Sequence, residues 1–200
     1  MPVRARLSLM LAATLVLVAA LAVVLLTSSG AHEPDPSARF EGAMRPKAIP
    51  PADFALRDQD GHLVRLSDLR GHPAIVTFMY STCRDTCPLT AQQIRIALDE
   101  LHTPVPAVAI SVDPANDTPL NARRFLARQS LTGRMRFLLG SRGQLEPLWK
   151  AYGVQPQGTA FDHSAYVVLL DAQGRQRVGW PVDELRPEGL AHDLRVLGAR

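Results

Sequence analysis

Hydrophobic positions along the chain fall into two regimes. The first is one unbroken run, residues 7–26, with no charge and only Ser8 and Thr14 polar. As a helix rising 1.5 Å per residue it would span roughly 30 Å, the thickness of a bilayer core. A cleaved secretory signal carries a shorter apolar region of about 7–15 residues. The length therefore favours a retained anchor over a cleaved signal, although small residues (Ser28, Ser29, Gly30, Ala31) follow the run. Arg4 and Arg6 precede it, and no Lys or Arg follows until Arg39. That asymmetry puts the N-terminus in the cytoplasm and everything after the run across the membrane. The expected location is a bacterial inner membrane, with the soluble part facing the periplasm or the cell exterior. No cysteine near the end of the run offers a lipid attachment point.

The second regime is broken into short apolar stretches. Residues 28–52 contain Pro, Ser and Gly and read as a tether. The boundaries expected are a membrane anchor or signal segment over 1–27, the tether over 28–52 and one folded domain over 53–200. Residues 54–56 and 62–66 look like a strand pair around an Asp60-Gly61 turn. Ser67 is placed to cap a short turn that stops at Gly71. Residues 74–79 (AIVTFM) form a continuous apolar, β-favouring run, the pattern of a strand buried on both sides. From 88 to 101 the period turns helical, with Leu89, Ile94, Ala97, Leu98 and Leu101 on one side. Residues 105–112 read as a second buried strand. Thr118 and Pro119 mark the start of a helix carrying Leu120, Phe125 and Leu126.

A short strand over 135–139 follows. A helix capped by Ser141 carries Leu145, Leu148, Trp149 and Tyr152 and ends at Gly153. A strand over 165–170, a turn at 171–174, a returning strand through Trp180 and a helix over 187–197 complete the pattern. Strands alternating with helices predict an α/β fold with a mainly parallel sheet, made mixed by the closing hairpin and flanked by helices.

Composition narrows the picture. The 200 residues are 46% hydrophobic and 20% charged, which suits one globular domain plus an appendage. Such a domain, of roughly 150 residues, buries about 70% of the surface of its unfolded chain and needs no metal or disulfide in order to fold. Two of the 22 basic residues precede the apolar run, and the remaining 20 stand against 19 acidic ones. No basic stripe interleaved with aromatics is present, so nucleic acid is not an expected partner.

Two cysteines occur, Cys83 and Cys87, directly after the buried run 74–79 and at the opening of a helix. Open α/β sheets place ligands beyond the carboxyl ends of their strands. A helix N-terminus lowers a thiol pKa and favours the thiolate. Four residues is about one helical turn, so both sulfurs can face one way. Three chemistries compete. A structural disulfide would close only a small loop and add little stability. A redox dithiol suits an exported location, and its place after a buried strand suits a thioredoxin-like fold. A metal site with paired thiolates suits soft ions, Cu(I) ahead of Zn.

A third ligand would come from the six histidines. His32, His62, His72, His102 and His192 lie in the tether, beside turns, past a helix end or on the last helix, where an exposed or capping role suffices. His163 stands directly before the strand 165–170, in a loop that a thioredoxin-like sheet sets opposite the cysteine loop. Neutral imidazole is a good copper ligand. Asp162 beside it could orient the site or tune its charge.

Three motifs in order, Cys83-Arg84-Asp85-Thr86-Cys87-Pro88, Ser111-Val112-Asp113-Pro114 with Asp117-Thr118-Pro119, and Asp162-His163-Ser164, resemble the Sco/SenC family of thioredoxin-like proteins. The likeness extends over roughly residues 50–197, and the N-terminal run is family-like too. The resemblance implies copper held by Cys83, Cys87 and His163, and loading of the binuclear copper centre in subunit II of cytochrome c oxidase. A copper donor or a thiol reductant protein would be a further partner. A thiol–disulfide oxidoreductase would use Cys83 and Cys87 as its redox pair, to reduce the oxidase copper-site cysteines. The three-residue spacing is longer than efficient exchangers usually have. A redox or copper sensor acting through a membrane partner is a third reading. A peroxidase is disfavoured, because no Thr-x-x-Cys arrangement with an activating Arg is present. Residues 154–160, beside His163, are placed as a lip over the site.

Overall fold

The apolar run Ala74–Met79 is the strand on which the sheet is built, and all six of its residues are buried. The structure, a computed structural model, describes residues 40–46, 49, 52–154 and 166–199. In chain order the elements are β1 (Ala43–Met44), β2 (Ala55–Arg57), β3 (Leu63–Arg65), a 3-10 turn (Leu66–Leu69), β4 (Ala74–Met79), α1 (Thr86–Asp99) and β5 (Ala107–Ser111). They continue with α2 (Pro119–Arg128), β6 (Arg136–Leu138), α3 (Arg142–Tyr152), β7 (Tyr166–Leu170), β8 (Gln176–Pro181) and α4 (Pro187–Val196). Six strands form one sheet in the order β1-β8-β7-β4-β5-β6. β4, β5 and β6 run parallel, β7 pairs antiparallel with β4, β8 antiparallel with β7, and β1 antiparallel with β8. β2 and β3 form a separate hairpin. The sheet is mixed, helix-flanked and thioredoxin-like as expected, but not mainly parallel: the antiparallel β7, inserted beside β4, makes three of the five strand pairings antiparallel.

Alternation along β4 splits the core in two. Ile75 and Met79 point to a face covered by α1, α2 and α4, where Ala91, Ile94, Phe125, Leu190 and Leu194 pack. Ala74, Val76 and Phe78 point to the other face, covered by the hairpin and α3. There the Phe78 and Tyr152 rings meet at 5.2 Å, a tilted aromatic pair. Fully burying one such side chain stabilises the fold by about 1.5–3 kcal/mol.

Local signals hold at several ends. The Thr118 hydroxyl accepts from Asn121 N at 3.2 Å, with Pro119 opening α2. Gly153 ends α3 at φ 71°, a left-handed conformation that glycine adopts without a Cβ penalty. At Ser141 the helix is closed from the other side, by Gln144 Oε1 accepting from Ser141 N at 2.9 Å.

Other expectations are corrected. Ser67 does not cap a turn; it lies inside the 3-10 segment, and Asp68 accepts from Arg65 N at 2.8 Å instead. Leu89 and Leu120 are 57% and 48% exposed, so neither belongs to the apolar face assigned to it. Each sits in the first turn of its helix, where helical period alone does not decide what covers a side chain. Part of the stretch expected as tether is ordered against the sheet. Ala43 and Met44 pair with Gly179 and Val178, and the buried Asp193 accepts from Glu41 N and Gly42 N at 2.8 and 2.9 Å. A Cβ at Gly42 would lie 2.5 Å from Trp180 Nε1, so only glycine permits this approach. Among the described residues no helix is long and apolar enough to cross a membrane. The run 7–26 lies outside them.

Candidate metal and redox site

β4 ends at Met79, and the chain turns at once into the cysteine loop. Cys83 N donates to Tyr80 O at 3.2 Å, which brings Cys83 to the opening of α1. The helix begins at Thr86, so Cys87 lies in its first turn. The residue before the helix, Asp85, makes no side-chain cap. The Cys83 sulfur takes that place, accepting from Cys87 N at 3.3 Å. The first N–H groups of a helix lack intrahelical partners and carry partial positive charge, so a thiolate there is favoured.

Both cysteines are free thiols, and both are buried, at 7% and 2% exposure. The Cys83 thiol is drawn down to about 5, first by the hydrogen bond from the Cys87 thiol, then by the backbone N–H groups of Asp85 and Cys87 and by the Tyr80 side chain, against the opposing effect of burial. Cys87 is pushed up, because its proton is held on Cys83 and because it is buried. At neutral pH the pair is therefore one thiolate and one thiol. Two soft sulfur donors without a disulfide, one already charged, are a fitting donor set for Cu(I).

Asp117 holds this arrangement from beneath. One carboxylate oxygen accepts from Ser81 N and Ser81 Oγ, each at 2.6 Å, and the other accepts from Ser111 Oγ at 2.5 Å. Ser81 belongs to the cysteine loop and Ser111 ends β5, so one buried carboxylate ties the two loops together. Burial raises the Asp117 pKa, and the three donors oppose that rise. Trp149 Nε1 donates to Ser111 O at 2.9 Å and fixes the same corner from α3. The sequence names Asp117 only inside a motif. Its bracing role follows from a buried strand ending in Ser, six residues before an Asp that precedes a Thr-Pro helix start.

The structure brings Cys83 and Cys87 together. His163, Asp162 and residues 155–160 of the expected lip lie outside the described residues; Val154 is buried at the end of α3. Among the described residues, the His, Cys, Asp and Glu side chains that cluster closely enough for an ion are Asp58, Asp60 and His62. Asp58 Oδ1 is already engaged there, accepting from Asp60 N and His62 N at 2.9 Å, which closes the β2–β3 turn.

The SCO1/SenC family profile matches residues 42–197. The chain belongs to the SCO1/SenC family. A SCO2-like protein of Rickettsia prowazekii is 28% identical over 134 residues, 61% of this chain and 64% of that relative. The chain thus spans slightly less than two thirds of that relative's length. Bradyrhizobium japonicum ScoI, solved with copper bound, is 27% identical with a TM-score of 0.56, covering 72% of this chain and 97% of that one. BsSco, in which a disulfide switch was identified, is described as a member of the Sco family of cytochrome c oxidase assembly proteins. It is 25% identical with a TM-score of 0.66, covering 78% of this chain and 96% of BsSco. These matches span the thioredoxin-like domain and place the family in cytochrome c oxidase assembly.

Proposed function

We propose that this protein is a copper metallochaperone, with Cu(I) as cargo held by Cys83, Cys87 and His163. Its recipient is the binuclear copper centre in subunit II of cytochrome c oxidase, and the run 7–26 anchors it in the bacterial inner membrane with the domain outside the cytoplasm. The observation that carries this reading is the free Cys83–Cys87 pair at the start of α1, one sulfur accepting from the helix N-terminus. A homologue of the same family with copper bound supports the metal. Cu(I) suits a site of two sulfurs and one imidazole, and a three-coordinate ion near the surface leaves room for a recipient's ligands to enter and take it.

The test is made in cells. Deleting the gene should abolish the spectrum of the oxidase binuclear copper centre, and wild type but not Cys83→Ala should restore it. A full copper centre in the deletion strain would refute the role.

A second reading is supported by the unequal pair. A thiolate at Cys83 beside a protonated Cys87 is the state in which one sulfur attacks a disulfide and the other resolves it. Reduction of the recipient's copper-site cysteines would then precede loading. Catalytic reduction of an oxidised subunit II peptide, driven by a thiol donor, is the measurement that supports it.

A further inference from the structure

A cleft of about 390 Å³ opens beside Cys83, between the start of α1 and α2. Cys83 lines it and Cys87 does not. Thr82 and Asn121 add polar groups, Phe125 an apolar contact, and Arg84 and Arg128 two guanidinium groups. Among the described residues the side chains of Arg84 and Arg128 form no ion pair or hydrogen bond. Three other arginines are engaged. Arg123 contacts Asp60 and donates to Gln59 O, and Arg95 and Arg134 share Asp99. Two guanidinium groups beside the Cys83 sulfur form an acceptor for carboxylates. The volume falls within the roughly 300–1,000 Å³ of small-molecule sites. A protein partner would instead be met by a surface of about 800 Å².

We propose that this cleft binds a low-molecular-weight disulfide bearing carboxylates, of the glutathione class, with its carboxylate on Arg84 and Arg128 and its sulfur against Cys83. The inference rests on the thiol pair of the proposed function and names what that pair exchanges with. The Cys83 thiolate attacks one sulfur, a protein–ligand S–S bond forms, the ligand S–S bond breaks, and one thiolate leaves and takes a proton from water. Cys87 then loses its proton to solvent and attacks the Cys83 sulfur. The Cys83–Cys87 disulfide forms and the second ligand thiolate leaves. One disulfide is reduced to two thiols, and the protein dithiol is oxidised by two electrons.

The test uses the reduced full chain with oxidised glutathione and with the neutral bis(2-hydroxyethyl) disulfide, each rate divided by that of the same disulfide with free dithiothreitol. The wild type should favour the carboxylate-bearing disulfide by about tenfold at low salt, the scale of one charge-assisted contact. Salt should erode that preference. Arg128→Ala should bring the ratio close to one, and Arg128→Lys should keep most of it. Since each ratio comes from one preparation, partial misfolding cancels. In Cys87→Ser the glutathione adduct should be trapped on Cys83. Equal normalised rates in the wild type, or a ratio untouched by Arg128→Ala, would overturn the proposal. A Cu(I) titration of the same wild-type preparation tests the copper reading separately, so either can fail alone.

Discussion

Two buried aspartates, one at each of two corners of the fold, meet the same problem and solve it for different ends. Asp193 on α4 accepts from Glu41 N, Gly42 N and, at 3.1 Å, Trp180 Nε1. Asp117 accepts from Ser81 N, Ser81 Oγ and Ser111 Oγ. Burial raises both pKa values, and three donors restrain each. The Asp193 donors belong to the edge segment and an indole, so the contact serves the fold. The Asp117 donors belong to the loop that carries Cys83 and to the end of β5, so the same device serves the site. A buried carboxylate is thus functional or structural according to whose N–H groups it holds.

The largest effect should come from Asp193→Ala, which strands two backbone N–H groups and the Trp180 indole. Denaturant unfolding should show a loss of about 3–5 kcal/mol. Copper affinity of the folded fraction should be unchanged. Asp117→Ala strands one backbone N–H and two hydroxyls, which unlike a fixed N–H can rotate toward another acceptor, so its stability loss should be smaller, about 2–3 kcal/mol. It should also weaken Cu(I) binding by about 10–100-fold, the usual cost of removing a group that orients metal ligands. Equal copper affinity in the two variants would erase the distinction.

The comparison sharpens through pH. Because the Cys83 pKa is depressed in the folded protein, its thiolate persists down to about 5 and is lost below it. Alkylation of Cys83 by iodoacetamide, followed by mass spectrometry, should give a rate that is flat above roughly pH 6 and falls through about 5. Cys87→Ala removes the largest cause of the depression and should move that midpoint up, toward the ordinary value of about 8.5. Cys87 itself should resist alkylation at neutral pH. The smallest effect is expected of Thr118→Ala. It removes the α2 cap for about 1 kcal/mol and leaves copper affinity as it was, although Thr118 adjoins Asp117.

What could be read in advance follows the same division. The run AIVTFM, the Thr118-Pro119 start and the Gly153 stop were legible because each rests on local chemistry: apolar continuity, a hydroxyl acceptor and a left-handed φ. The cysteine pair was legible from its place after a buried strand. Leu89 and Leu120 misled, because helical period places a residue on a face but not on the part of that face the sheet covers. β1 was illegible, since two residues carry no period and its pairing depends on Asp193, 150 positions further on. Asp117 was visible only as part of a motif; its work depends on Ser81 and Ser111, which the fold alone brings together.

The most direct test of the account is a Cu(I) titration of the reduced full chain in competition with a calibrated chelator, beside Cys83→Ala/Cys87→Ala and His163→Ala. One tightly held copper per chain, abolished in the double variant and weakened in His163→Ala, is the predicted result. Wild-type protein that holds no copper, or holds it as tightly without the two cysteines, would contradict the account.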